Sequence, residues 1–328
     1  MKLLIQIPCF NEEETLAVTV SDLPREIEGI DTIEYLIIDD GSRDRTAQVA
    51  RDLGVDHIVR FPCNKGLAKG FMAGLDACLR LGADIIVNTD ADNQYCGADI
   101  EKLVRPILEG QAEIVIGERP IDATEHFSWK KKKFQHLGSW VVRIASGSEI
   151  PDAPSGFRAY SREAAMRLNV INDYSYTLET IIQAGRNRIG MTSVPIRTNG
   201  ETRPSRLFSS MGRYIKRSSS VIIRSFLMYR PLSFFCTIGA VLFLIGVLLG
   251  GRYVYFLIAE GSSGHIQSLI LCAIFLLAGF QTILLGLQAD IIAANRKLIE
   301  DVQYRVRRME NGSLQAPTAA SSDSKRPD

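Results

Sequence analysis

Two runs without a charged side chain, Leu232 to Gly251 and Ile266 to Ala289, constrain this 328-residue chain more than any other feature in it. They hold 20 and 24 residues. At a rise of about 1.5 Å per residue, either one spans the roughly 30 Å of a bilayer's hydrocarbon as a helix. A short polar connection, Ala259 to His265, separates them. The pattern predicts a transmembrane helical hairpin over 231–292, with helices at about 232–258 and 266–289, and argues against a simple soluble protein. Cations orient it. Five basic residues lie within 211–231 and five within 290–310, against Arg252 alone near the hairpin end. Positively charged flanks face the cytoplasm, so the catalytic-size region before the hairpin and both termini are expected on that side. Met1-Lys2 leads directly into LLIQIP, which is too short for a signal's apolar core and reads as a first strand.

Charge divides along the same line. Residues 1–200 carry 23 basic and 29 acidic side chains, whereas residues 201–328 carry 15 and 8. A basic part containing long apolar runs points to a membrane surface rather than to nucleic acid. Arg206 to Tyr229 interleaves Leu207, Phe208, Met211, Ile215, Ile222 and Phe226 with Arg213, Lys216, Arg217 and Arg224. That is the pattern of amphipathic helices in the headgroup plane, expected over 205–230. A basic helix over 293–310 and a disordered polar tail over 311–328 complete the expected order. The six cysteines have no CxxC spacing and read as buried thiols rather than as a metal or redox site.

Residues 1–204 read as an α/β domain. The apolar runs LLIQIP (3–8), YLIIDD (35–40), HIVRF (57–61), DIIVNTD (84–90) and EIVIG (113–117) alternate with helical patterns over 12–23, 44–53, 67–81 and 99–109. Strand–helix alternation with continuously apolar strands predicts a mostly parallel, Rossmann-like sheet covered on both faces. Ligands of such sheets bind beyond the carboxyl ends of the strands. Here those ends carry Pro8-Cys9-Phe10-Asn11-Glu12, Asp39-Asp40-Gly41-Ser42 and Asp90-Ala91-Asp92.

Each motif has a chemistry. Asp90 and Asp92, followed by Gln94, suit a hard divalent cation such as Mg²⁺ or Mn²⁺ that keeps positions open for diphosphate oxygens. Asp39 and Asp40 offer acceptors to a nucleoside; a carboxylate ending a buried strand needs a partner of some kind. Ser42 and Asp44 also fit helix caps. Asn64 to Gly70, NKGLAKG, is a glycine-rich helix entrance of the kind that approaches phosphates closely. The run Trp129-Lys130-Lys131-Lys132-Lys133 fits a solvated loop or one near anionic headgroups.

Together, Pro8-x-Phe10-Asn11-Glu12, Asp39-Asp40-Gly41-Ser42, Asn64-Lys65-Gly66, Asp90-Ala91-Asp92-x-Gln94 and Gly117-x-Arg119 resemble glycosyltransferase family 2, inverting enzymes of GT-A fold. The resemblance implies that Pro8, Phe10, Glu12 and Asp39 or Asp40 hold the nucleoside. It further implies that Lys65, Ala91 and Arg119 complete the donor site, and that Asp90, Asp92 and Gln94 surround the metal. Asp152 to Tyr160 (DAPSGFRAY), Thr177 to Gly185 and VPIRTN narrow the resemblance to the polyprenyl-phosphate glycosyltransferases, which include dolichyl-phosphate mannose synthases and undecaprenyl-phosphate glucosyltransferases. Their usual Gly-x-Ser-Lys appears here as Arg203-Pro204-Ser205-Arg206, with Arg206 in the lysine's place. The Gln-x-x-Arg-Trp of processive synthases is missing, which argues against polymer synthesis. The resemblance makes a homo-oligomer plausible.

A lipid phosphate acceptor sets its own demands. With a second pKa near 6 it is already an oxyanion at neutral pH. Holding it beside a diphosphate costs about 4 kcal/mol per charge pair at 4 Å and an effective dielectric of 20. Cations must therefore converge: a metal at Asp90 and Asp92 for the leaving group, and arginines for the acceptor. Arg119, Arg158, Arg203 and Arg206, with Ser205, are the candidates for phosphate. Asp92, Asp152 and Arg158 are taken as the catalytic residues, with Asp152 positioning the sugar or orienting Arg158 ahead of acting as a base. Glu179 fits either a sugar contact or an ion pair. UDP-glucose leads as donor and GDP-mannose follows. The alternatives are another lipid acceptor, such as a diacylglycerol, and a non-catalytic nucleotide-sugar-binding membrane protein.

Overall fold

All five expected strands form in the computed structural model, which describes residues 1–120, 143, 146–171, 176–199, 231–260 and 266–313. They are β1 (Lys2–Cys9), β2 (Thr32–Asp39), β3 (His57–Arg60), β4 (Ile85–Asn88) and β5 (Ile114–Glu118). The expected helices between them are α1 (Leu16–Asp22), α2 (Thr46–Asp52), α3 (Leu67–Arg80) and α4 (Ile100–Leu108). Two more strands, β6 (Arg158–Ser161) and β7 (Met191–Pro195), follow with α5 (Arg162–Arg167) and α6 (Tyr176–Arg186). The sequence did not announce these strands because RAYS opens on an arginine and MTSVP is half polar, so neither is an apolar run. Arg203, Ser205, Arg206, the expected helices over 205–230, the Trp129–Lys133 run and residues 314–328 lie outside the described residues.

Among the described residues the strands make one sheet in the order β3-β2-β1-β4-β6-β5-β7. It is parallel at β3–β2, β2–β1, β1–β4 and β5–β7, and antiparallel where β6 meets β4 and β5. From β1 the chain builds outward to β2 and β3 on one side, then crosses to β4 on the other. The switch point between β1 and β4 is where connections diverge and leave a crevice. Leu3, Ile5 and Ile7 of β1 join Leu16 and Val20 of α1 and Ile100, Leu103 and Val104 of α4 in one buried cluster. Helix α3 covers β1 and β2 with Phe71 and Leu75 buried. Each such apolar side chain contributes about 1.5–3 kcal/mol relative to exposure, and two covered faces explain why these strands read as unbroken apolar runs.

Two compact units are present: Met1–Leu207 with Asp301–Asp328, and Phe208–Glu300. The second contains α7 (Pro231–Glu260) and the first 35 residues of the 48-residue α8 (Ile266–Ser313). Both helices are long and apolar enough to cross a membrane and keep most of that surface exposed, as a candidate membrane hairpin requires. Helix α8 neither stops near Ala289 nor restarts as a separate basic helix; it runs three residues into the expected tail. No Pro or Gly interrupts it between Ala289 and Asn311, and the i,i+4 pairs Arg296–Glu300 and Arg305–Asp301 support it. Its last turns belong to the first unit. There the Tyr304 hydroxyl donates to Glu163 Oε1 at 2.6 Å. Arg307 donates to the carbonyls of Met166 and Leu168 at the end of α5 and pairs with Asp76 of α3 at 3.3 Å.

Candidate active site

The loops after β1 and β2 are clasped together. Asn11, in the left-handed region at φ 55°, donates its backbone N–H to Ser42 Oγ at 2.9 Å and accepts from the Arg43 N–H at 2.9 Å. Glu12 is buried; its N–H reaches Thr46 Oγ1 and its Oε2 accepts from Thr15 Oγ1. Asp44 accepts from Thr46 N–H at 3.0 Å and so caps the start of α2. Gly41, at φ +69°, turns so tightly against the Cys63–Asn64 backbone that an added Cβ would lie 2.4 Å from the Cys63 carbonyl carbon. The result is a crevice of about 590 Å³ lined by Phe10, Ser42, Arg60, Phe61, Cys63 and Asn64. Cys63 is therefore an exposed thiol, unlike the buried Cys9, Cys78 and Cys272.

Asp39 and Asp40 have different fates. Asp39 ends β2 fully buried, with Oδ1 accepting from Ser42 N–H at 2.8 Å. Arg60 Nε lies 3.0 Å from Oδ2 but off the hydrogen-bond line, so Oδ2 keeps an unmet acceptor. A buried carboxylate oxygen in that state favours any ligand bringing an N–H or O–H. Asp40 instead spends both oxygens on the backbone N–H groups of Lys65 and Gly66, at 2.7 and 2.9 Å. The glycine-rich entrance of α3 therefore has those two amides directed at Asp40 rather than at a phosphate. The Lys65 ammonium sits 4.7 Å over the Phe61 ring.

Asp90, Ala91, Asp92 and Gln94 follow β4, across the switch point from Pro8, Phe10 and Glu12 on β1 and the loop after it. Ala91 is fixed through its carbonyl, which accepts from Thr19 Oγ1 of α1 at 2.9 Å. Asp92 Oδ1 accepts from Gln94 N–H at 3.2 Å, and Asn93 takes φ 53° to close this turn. Burial pushes the Asp90 carboxyl up to about 7, and the charges of Asp92 and Glu12 add to this while Arg119 opposes it. Two carboxylates whose charges act on each other at that electrostatic cost are an all-oxygen donor pair that fits Mg²⁺ or Mn²⁺. Among the described residues no group of three or more His, Cys, Asp or Glu side chains gathers.

The 152–158 segment leads into β6, where Arg158 pairs with Asn88 of β4. Asp152 is fully buried and pairs with Arg119, not Arg158: Arg119 Nε and Nη2 reach its two oxygens at 2.7 and 2.9 Å. Arg158 is also fully buried and donates to the carbonyls of Ala153 and Ser155 and to Thr180 Oγ1, each at 2.7 Å. It braces the loop from inside. Glu179 is buried in α6 and accepts from Ile171 N–H.

Sequence reasoning missed the framework beneath these residues. Asn88, fully buried, accepts from Gln6 Nε2 at 2.9 Å and donates to the Gly156 carbonyl at 2.9 Å and to the Tyr176 hydroxyl at 2.8 Å. Tyr95 accepts from Gly156 N–H at 3.1 Å. Gly156 is thereby held against Asp90. Asn88 and Tyr95 stood within the NTDADNQY string; nothing local marked Gln6, Tyr176, Arg60 or Phe61.

The family profile described as Glycosyl transferase family 2 matches residues 4–168. The UDP-N-acetylglucosamine–dolichyl-phosphate N-acetylglucosaminyltransferase of Methanococcus voltae is 31% identical over 58% of this chain and 83% of its own. The polyprenol monophosphomannose synthase of Mycolicibacterium smegmatis is 27% identical over 59% of this chain and 76% of its own. Glucosyl-3-phosphoglycerate synthase from Mycobacterium tuberculosis, solved with Mn²⁺ and UDP, shares the fold at TM-score 0.53 and 20% identity, covering 69% of this chain and 78% of its own. With half of its length matched by the profile and the α/β sheet in place, the chain belongs to glycosyltransferase family 2.

Proposed function

We propose that this chain transfers one hexose, with inversion, from a nucleoside-diphosphate sugar to the phosphate of a polyprenyl phosphate at the cytoplasmic membrane face. One observation carries the reading: a buried Asp39 oxygen, ion-paired to Arg60 but outside any hydrogen bond, next to a crevice lined by Ser42 and Arg60 and across the β1/β4 switch from the Asp90/Asp92 pair. The names of the two relatives support the acceptor class, as does the pair of apolar helices on the same chain.

The acceptor's phosphate oxygen attacks the anomeric carbon, the bond from that carbon to the diphosphate breaks, and the nucleoside diphosphate leaves. Pro8, Phe10, Glu12 and Asp39 hold the nucleoside, with Asp40 and Lys65 shaping its crevice. Asp90 and Asp92, with Gln94, would hold a Mg²⁺ or Mn²⁺ ion, which would supply charge compensation for the leaving diphosphate. Asp152 positions Arg119 toward that charge, because both its oxygens are engaged. Arg158 maintains the loop that presents Asp152. Arg203, Ser205 and Arg206 clamp the acceptor phosphate. Anionic acceptors need no general base, which suits a site whose fully buried carboxylate Asp152 is tied to an arginine.

The test is incubation of the purified full chain in lipid with undecaprenyl phosphate and labelled UDP-glucose, GDP-mannose and UDP-N-acetylglucosamine, in that order of expectation, with diacylglycerol in parallel. A lipid-linked monosaccharide should form, vanish with EDTA and return with Mn²⁺ or Mg²⁺. Failure of every donor under metal-replete conditions overturns the acceptor; activity that survives complete chelation overturns the metal.

A further inference from the structure

The VPIRTN segment, Val194 to Asn199, runs off the end of β7, and the proposed reaction gives it no part. Its last residue takes hold of three consecutive carbonyls in the turn after β4. Asn199 Nδ2 donates to the Asn93 carbonyl at 3.1 Å and to the Tyr95 carbonyl at 3.3 Å, and the Asn199 backbone N–H donates to the Gln94 carbonyl at 2.9 Å. An antiparallel bridge between Tyr95 and Thr198 and a bond from Cys96 N–H to the Arg197 carbonyl continue the seam. The segment has its own anchors before Asn199 is reached. Ile196 is buried in one cluster with Tyr95 and Phe157, and Arg197 grips Asp99 through both its backbone N–H and its guanidinium.

The first of the three carbonyls reaches furthest. The Asn93 carbonyl and the Gln94 N–H belong to one peptide plane, and that N–H donates to Asp92 Oδ1 at 3.2 Å. A peptide unit is planar and stiff, so whatever turns its carbonyl turns its N–H as well. Asn93 also sits at φ 53°, a left-handed conformation that persists where its surroundings hold it. The geometry points to Asn199 as a positioning residue for Asp92: by fixing the 93–94 peptide, it fixes the carboxylate that meets the divalent ion in the reaction proposed above. The inference rests on that reading of Asp92 and gives Asn199 no contact with metal or substrate. The residue type fits the task. A side-chain amide nitrogen carries two N–H donors, one for each carbonyl, whereas an ionised aspartate of the same size offers only acceptors. A hydrogen bond passed on through a peptide also polarises the next one, which strengthens the hold on Asp92.

Mn²⁺ binding to the full chain in lipid nanodiscs, read by electron paramagnetic resonance with UDP present and paired with a melting curve, tests this. Asn199→Ala should weaken Mn²⁺ binding about 10–100-fold, the usual range for groups that orient a metal's ligands, and its lost rate of transfer should return as Mn²⁺ is raised to saturation. Asn199→Asp, which keeps the size and loses the donors, should weaken binding at least as much. Arg197→Ala, two residues away in the same segment, should melt lower yet keep Mn²⁺ affinity within about twofold of wild type. If both Asn199 variants hold wild-type Mn²⁺ affinity, or lose it no more than Arg197→Ala does, Asn199 is only an anchor and the inference falls. Asp92→Asn separates the two levels. Should it weaken Mn²⁺ binding strongly while the Asn199 variants do not, the positioning role alone fails and the proposed reaction stands. Should it leave Mn²⁺ binding unchanged, the metal role of Asp92 fails and takes this inference with it.

Discussion

Gly156 requires space rather than an unusual backbone angle. An ideal Cβ there would lie 3.0 Å from the Tyr176 hydroxyl and 3.2 and 3.3 Å from the two carboxylate oxygens of Asp90. Gly156→Ala therefore forces Asp90 or Tyr176 to yield by a few tenths of an ångström. Asn88 and Tyr95 hold the Gly156 backbone from both sides, so the loop itself has little freedom to retreat. Metal–oxygen distances tolerate about 0.2 Å, so a displacement of that size falls directly on the ligand geometry. Changes just outside a metal's own ligands typically weaken binding about 10–100-fold, or roughly 1.4–2.8 kcal/mol. Titration with Mn²⁺, followed by its electron paramagnetic resonance signal in the presence of UDP or GDP, measures this directly. Overpacking alone destabilises by about 1–3 kcal/mol, so a melting curve on the same sample separates loss of fold from loss of ligand. If Mn²⁺ affinity stays within about twofold of wild type while the fold holds, Asp90 does not bind the ion and the donor-set argument is wrong.

Asp39→Asn removes the charged acceptor at the nucleoside crevice and should weaken nucleotide binding about 10–150-fold by calorimetry, the range for a hydrogen bond to a charged group, with kcat changing less than KM. Asp152→Asn should lower kcat by loosening Arg119, yet leave the acidic limb of the pH–rate profile in place; disappearance of that limb would identify Asp152 as a base. Asp99, buried and bonded to Arg197 at 2.6–3.3 Å, has its carboxyl held down to about 2 because the bonds from Arg197 and Lys102 outweigh its burial. A lowered folded-state pKa stabilises the fold above the unfolded value near 4, and that contribution is lost as pH falls through about 2. Arg197→Ala should therefore melt lower than wild type at pH 7, with the gap shrinking as the pH drops below 4.

Much of the candidate site's placement was readable because its residues sit at strand ends, where a local pattern announces both the element and its polar terminus. Asp90-Ala91-Asp92 after DIIVN and Asp39-Asp40 after YLII are such cases. What each carboxylate does was not readable. Asp39 and Asp40 are neighbours of identical chemistry, and only the approach of the α3 entrance assigns the backbone amides to Asp40 and leaves an Asp39 oxygen unmet. Arg119 and Arg158 looked equivalent as phosphate ligands, yet one pairs with Asp152 and the other is sealed beneath Ala153 and Ser155.

The sequence by itself determined the alternating strands and helices, the two charge-free runs and the order of the motifs, since these depend on periodicity and run length along the chain. Tertiary structure alone decided that β6 inserts antiparallel between β4 and β5, that Gln6, Asn88 and Tyr176 brace Gly156 beneath Asp90, and which carboxylate meets which arginine. Those outcomes join residues about 20 to 90 positions apart, where the winning partner depends on distances of a few tenths of an ångström that no local pattern encodes.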